Sequence, residues 1–214
     1  MVAILSAIVV GLMLVPSGAS AATKMVVVQD RTGDLGTKID WKTGDILNWW
    51  PDTTSVTKVG YFDMVSFSLS YKAKTYTFGM ELAKALPEPG SALPTGFKLV
   101  QWLMWIDPEP WNMKYNNILS LYTVQLTYDG SEYAAELKDY ATGVVLAALP
   151  FAVDGSSLQI EFSAASIGNL ESFWFMPCTV VVWAVTGAGY WDLDGSDPGS
   201  VPGQVWWDIP WPPV

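Results

Sequence analysis

No histidine occurs anywhere in the 214-residue chain. That removes the commonest general base, metal ligand and haem ligand together. Cysteine is nearly absent as well. Cys178 stands alone, so an intrachain disulfide is excluded and stability must come from packing. It lies in the apolar stretch Phe175-Met176-Pro177-Cys178-Thr179-Val180, where a buried, inert thiol is expected rather than a reactive one. Charge is sparse, at 15% of residues, and no base follows Lys138, although eight acids do. With a formal net charge of -10, the surface repels phosphate backbones, so no nucleic acid is expected as a partner; cations suit it better. The chain has no Gly-x-Ser-x-Gly elbow, phosphate-binding loop, Cys/His metal spacing or Asn-x-Ser/Thr sequon. Paired carboxylates for glycoside hydrolysis are a matter of spatial separation, yet every acid here also reads as a turn former or a solvated strand residue. The expectation is a protein that is not an enzyme.

Apolar residues make up 50% of the chain, which rules out disorder over most of its length. Val2 to Val15 is an almost unbroken apolar run, followed by Pro16-Ser17-Gly18 and the small-x-small site Ala19-Ser20-Ala21. This reads as a secretory signal over residues 1–21, removed after Ala21 or Ala22, on a protein destined for the exterior or the cell surface. The run is shorter than the roughly 20 residues of a transmembrane helix, so the mature chain is not expected to be an integral membrane protein. No Lys or Arg precedes the run, and a retained N-terminal helix is the competing reading. Residues 22–199 are expected to form one β-sandwich domain and residues 200–214 a Pro/Trp-rich tail.

The chain is organised around Tyr61 to Ala83, which reads as a long β-hairpin. Val65, Phe67, Leu69 and Tyr71 alternate with Ser66, Ser68 and Ser70; after Lys72-Ala73-Lys74, Tyr76, Phe78, Met80 and Leu82 alternate with Thr75, Thr77, Gly79 and Glu81. Strict period two gives strands one dry face and one wet face, and the dry face needs a second sheet to cover it. Met25 to Gln29 reads as a first strand and Asp45 to Trp50 as an edge strand inside a long loop. Phe97 to Ile106, apolar on both faces, reads as a central strand. Further strands are expected at Ile118 to Tyr128, Tyr133 to Lys138, Val144 to Leu149, Leu158 to Phe162 and Phe173 to Val185. Asp129-Gly130, Asp139 to Gly143 and Asp154-Gly155 supply turns. Ser163 to Gly168 is the one helical turn, closed by glycine. About nine or ten strands with close-set turns define an all-β protein, an antiparallel two-sheet β-sandwich or a closed barrel.

Twelve tryptophans stand out. Trp102, Trp105, Trp174 and Trp183 fall within apolar strands and are expected in the core. Trp49, Trp50, Trp111 and Trp191 fall in loops or at strand ends, where exposed rings could stack on sugars. Two acidic turns could bind calcium: Asp30 with Asp34, and Asp192, Asp194 and Asp197 around Gly195. The tail places Trp206, Trp207 and Trp211 among prolines. Such a segment would be sticky if free, so it is expected to pack against the outer face of its own sandwich or against a neighbouring subunit. Proline limits it to extended backbone, so it is expected to lie as an edge strand or a polyproline segment.

The Asp30–Asp34 turn, the strand Asp63 to Tyr71 with its Thr75-Tyr76-Thr77-Phe78 return, the segment from Val153-Asp154-Gly155 to Ile167-Gly168-Asn169, and the closing Gly189 to Gly199 together resemble the DOMON-like group of β-sandwiches. That group includes the family 9 carbohydrate-binding modules. The resemblance implies a two-sheet antiparallel sandwich that binds sugar or haem and performs no chemistry. Without histidine no haem is expected. The calcium sites of family 9 modules would correspond to the two acidic turns. The leading expectation is therefore a secreted binding module for extracellular glycan, with calcium at the acidic turns as its candidate cofactor. Its alternative is a structural subunit of a surface layer or filament, assembled from neighbouring copies by strand or tail exchange.

Overall fold

Side chains that alternate dry and wet along a strand can be satisfied only if two sheets close their dry faces on each other. The computed structural model describes residues 24–30, 32, 37–40, 46–48, 59–108, 122–183, 190–195 and 209–211, with residues 37–40, 46–48, 183, 190–195 and 209–211 as backbone only. Its strands are β1 (Lys24–Gln29), β2 (Thr37–Asp40), β3 (Ile46–Asn48), β4 (Met64–Lys72), β5 (Thr75–Leu82), β6 (Phe97–Asp107) and β7 (Tyr122–Tyr128). They continue as β8 (Tyr133–Asp139), β9 (Val145–Ala148), β10 (Phe151–Asp154), β11 (Ser157–Ser163), β12 (Phe173–Trp183), β13 (Tyr190–Gly195) and β14 (Ile209–Trp211). A five-stranded sheet A runs in the order β1-β4-β5-β11-β10. Sheet B runs β3-β2-β13-β12-β6-β7-β8-β9, with β14 also paired to β12. The fold is an all-β antiparallel sandwich.

The β4–β5 hairpin forms as its alternation requires. Tyr76, Phe78, Met80 and Leu82 are buried, as are Phe67 and Leu69. The dry face changes phase at one point. A bulge between Met64 and Ser66 leaves Val65 without a partner on β5, so Met64 is fully buried and Val65 only partly so. The Asp30 N–H donates to the Val65 carbonyl over 2.8 Å, satisfying the group that the bulge turns out of the ladder. Phe67 lies 5.1 Å from Phe78 within its sheet and 5.4 Å from Phe175 of the facing sheet, ring centroid to centroid. Tyr76 meets Phe173 at 5.6 Å. These rings are the contact between the sheets.

β6 is central, between β12 and β7, and it is covered on both faces as its composition implies. Val100, Trp102, Met104 and Ile106 join the core between the sheets. Leu103 and Trp105 join a second buried cluster with Met176, Cys178 and Val180. Trp105 is therefore buried, but on the opposite face from Trp102; Trp174 is only half-buried. Cys178 is 1% exposed, which fits an inert thiol. Pro177 sits inside β12 at the point where that strand changes partners. β14 pairs it through Phe175 and β13 takes over from Cys178, while β6 pairs it throughout, with Pro177 opposite Met104.

Several expectations on element positions change. The loop expected between residues 35 and 60 contains β2 as well as the edge strand β3, and the two pair. Val144 to Leu149 does contain a strand, β9, whose Val145 and Leu146 are exposed, as is Val144 before it. β10 is a separate strand that crosses to sheet A after Leu149-Pro150. The helical turn is present as a 3-10 helix, Ala164–Ile167. The Ser163 hydroxyl caps its start by accepting from the Ser166 N–H, and Gly168 ends it at φ 70°.

Candidate binding face

The inward side chains of sheet A are apolar, and its register sorts the outward ones into rows. One row crosses the sheet as Val27, Ser68, Gly79, Gln159 and Ala152. The next reads Gln29, Ser66, Glu81, Ser157 and Asp154. On the other side come Met25, Ser70, Thr77 and Glu161, then Lys72, Thr75 and Ser163. Neighbouring strands stand about 4.8 Å apart and successive rows about 6.8 Å apart. The middle of the face is therefore a lattice of hydroxyl, amide and carboxylate groups, with three carboxylates to one ammonium.

Two features give this lattice shape. A Cβ at Gly79 would stand 2.6 Å from the Ser68 Oγ, so the serine hydroxyl lies over the glycine and the centre of the face is shallow. Beside it, Glu81 accepts hydrogen bonds from the hydroxyls of both Ser156 and Ser157. Those bonds hold the carboxylate in place, leaving lone pairs for a further donor.

The residues expected to bind ligand, metal or partner fall as follows. Trp191 lies on β13, where its Cα partners are Val182 of β12 and Ile39 of β2. Trp49, Trp50 and Trp111 lie outside the described residues, as do Asp34, Asp197, Trp206 and Trp207. Asp30 follows β1 and ties it to the Val65 bulge through its N–H. Asp192 and Asp194 do not form a turn. They are strand residues of β13, opposite Val181 and Thr179 of β12. Strand pairing here overrides the turn chemistry of Asp and Gly. Among the described residues no group of three or more Cys, Asp and Glu could hold a metal ion. Trp211 is on β14, opposite Phe173, so the described part of the tail, residues 209–211, pairs with its own domain. It lies as an edge strand, as expected, but on β12 rather than on the outer face of a sheet.

The described aromatic residues make a different cluster from the one expected of the loops. Tyr133 lies 4.7 Å from Tyr128, 6.1 Å from Trp102 and 6.3 Å from Phe151, centroid to centroid. Its hydroxyl donates to the Pro87 carbonyl over 2.6 Å. The Tyr128 hydroxyl lies 2.5 Å from the Ser91 carbonyl and 3.0 Å from that of Glu88. Burial, with the neighbouring Tyr128, raises the pKa of both Tyr133 and Tyr61 above the usual tyrosine value. The Tyr133 and Tyr128 hydroxyls pin the proline-rich segment between β5 and β6, so their role is structural.

Fold and face together define a class, an antiparallel β-sandwich that presents one broad hydrogen-bonding sheet to solvent. Compared with protein families, characterised proteins and solved structures, the chain matched none. Among the described residues no helix is long and apolar enough to cross a membrane. The serines and threonines of the face were legible in the sequence as the wet side of the hairpin. That β11 would extend their rows was not, because pairing partners leave no periodic trace.

Proposed function

We propose that this chain is a secreted, non-enzymatic binding module whose ligand is a neutral extracellular glycan laid across the outer face of sheet A. The observation that carries this reading is the run of aligned rows through Ser68, Gly79 and Gln159 and through Ser66, Glu81 and Ser157. Hydroxyl and amide groups both donate and accept, as sugar hydroxyls do, so a polyol can satisfy many of them at once. The carboxylates of the face disfavour an anionic polymer. Each hydrogen bond contributes about 0.5–1.5 kcal/mol, so affinity depends on several acting together and on groups held in advance, as Glu81 is.

The test is calorimetry of the mature protein against soluble glucan, mannan and xylan fragments. Gln159→Ala and Thr77→Val should each weaken binding about three- to tenfold, and Glu81→Gln at least as much, all with unchanged melting temperature. Absence of binding to every neutral glycan would sink the proposal. So would binding that survives these changes but disappears on replacing Trp49, Trp50 or Trp111, since that places the ligand on the loops.

A further inference from the structure

The large apolar side chains exposed among the described residues are confined to two places, Met25 and Val27 on β1, and Val144, Val145, Leu146 and Phe151 around β9 and β10. In the second group these four are between 42% and 56% exposed. β9 ends the order of sheet B and β10 ends that of sheet A, with only Leu149 and Pro150 between them. One corner of the sandwich therefore offers two strand edges and an apolar surface. The segment from Tyr140 to Val153 carries no charged residue, in a chain of net charge -10. Across from β9 stand Glu136 and Lys138 of β8, opposite Ala148 and Val145 and paired with each other. Natural edge strands are usually blunted by charge, proline or a bulge. β9 is blunted, since its register against β8 shifts between Leu137 and Lys138. β10 is not. It pairs with β11 through four consecutive positions, and its only charge, Asp154, stands at its end.

We propose that this corner is the docking surface for a second copy of the same chain, joined by antiparallel pairing of β10 with its twofold-related equivalent. The occupant follows from the open edge and its symmetry. A strand edge is completed by another strand, and β10 offers the uncharged stretch Phe151 to Val153 to its own twofold equivalent. An axis through Ala152 sets Phe151 opposite the second copy's Val153 and Pro150 opposite its Asp154. The two Asp154 residues then stand about 13 Å apart along the strands, beyond the screening length of about 8–10 Å at ordinary salt. The apolar residues of β9 close over the joint from both sides. Such an arrangement is isologous and stops at two copies, and it extends sheet A into a ten-stranded sheet whose polar face doubles in width.

Sedimentation equilibrium of the mature protein over a concentration series tests this. A reversible dimer is expected, and Leu146→Glu should raise its dissociation constant at least tenfold. Because Leu146 is exposed, the melting temperature of the monomer should not change, which separates lost association from lost folding. Ala152→Cys adds a register-specific readout. Residues facing each other in an antiparallel pair have Cα atoms about 4.5–5.5 Å apart, within disulfide reach, so mild oxidation should link two copies. The parent protein, whose Cys178 is buried, should not cross-link. A monomer at every concentration overturns the proposal, as does a dimer indifferent to Leu146→Glu that Ala152→Cys fails to trap. Leu146-dependent retention on phosphatidylcholine vesicles by a strictly monomeric protein would assign the corner to a lipid surface and overturn it too.

Discussion

Phe67 and Ser68 are adjacent in the chain and belong to different environments. Phe67 is 1% exposed and touches aromatic rings in both sheets, so Phe67→Ala should cost about 3–5 kcal/mol, as large core truncations do. Urea denaturation would measure it, and a cost below 1 kcal/mol would show that the inter-sheet contact is misplaced. Ser68 is held against Gly79 instead. Gly79→Ala should therefore depend on its neighbour. With Ser68 present the hydroxyl must rotate away. In a Ser68→Ala background the same change should stabilise by up to about 1 kcal/mol, because the unfolded chain loses freedom. A double-mutant cycle should return a coupling of about 0.5 kcal/mol or more, and strict additivity would refute the contact. Asp129 gives a pH-dependent case. Its carboxylate accepts from the Ser131 hydroxyl and from the Ser131 and Glu132 N–H groups, which lowers its pKa from 3.8 to about 2. A folded-state pKa below the unfolded one means stability present above pH 3.8 and lost as pH falls towards 2. The difference in melting temperature between the parent and Asp129→Asn should be constant near neutrality and shrink through that window. A difference that grows on acidification would reverse the sign and exclude the mechanism.

The β4–β5 hairpin shows what an element needs beyond alternation. Its two-residue connection, Ala73-Lys74, has φ of 51° and 67°, the left-handed region that a tight hairpin turn requires and that side chains with a Cβ resist. The conformation is supported from outside, since the Ala164 N–H donates to the Lys74 carbonyl over 2.9 Å. Replacing the pair by Asn-Gly, the sequence such turns prefer, should relieve about 1–2 kcal/mol of strain, less the extra chain freedom of glycine. The midpoint in denaturant should rise with an unchanged slope, and a fall would mean that the turn is strained by its neighbours rather than by its own residues. Nothing in Lys72-Ala73-Lys74 announces this turn. The strands on either side do, which is why the hairpin was legible while the length of its loop was not. The same asymmetry explains β13. Trp191-Asp192-Leu193-Asp194 alternates over too few residues to outweigh a run of Asp and Gly, and only pairing with β12 and β2 makes it a strand. Asp139 to Gly143 was legible in full, because its turn is built from local bonds: the Asp139 carboxylate accepts from the Thr142 N–H and hydroxyl.

At the scale of the molecule, periodicity tells which side of a strand is dry but not which strand lies beside it. An all-β antiparallel fold, as a sandwich or a closed barrel, was therefore readable from alternation and turns. The joining of β5 to β11, which builds the polar face, and the crossing from β9 to β10 at the apolar corner were not. The tail is the case where physical chemistry anticipated the form, an edge strand, and missed where it docks. Apolar area is worth roughly 25 cal/mol per Å² on burial, so a Trp-rich tail was expected to find a surface. It finds an edge. β13 covers β12 from Cys178 onward and leaves Phe173–Phe175 open on that side, where β14 pairs Ile209 with Phe175, Pro210 with Trp174 and Trp211 with Phe173. Proline is tolerated in such a strand because it lies at an edge, where one face of its backbone needs no donor. The segment of β12 that β14 covers carries Phe173 and Phe175, two of the rings that join the sheets. Deleting residues 204–214 should therefore lower the melting temperature by several degrees, since about 1 kcal/mol shifts a domain of this size by roughly 2–4 °C. The change should be local: hydrogen exchange should quicken at Phe173–Phe175, while Val180 and Val181, paired on both sides by β6 and β13, keep their protection until global unfolding. The mass in solution should be unaltered, because the tail serves its own chain and the proposed dimer corner lies on β9 and β10. An unchanged melt would show that β14 contributes nothing to the fold, and a loss of dimer with an intact monomer would make the tail an exchanged segment between copies.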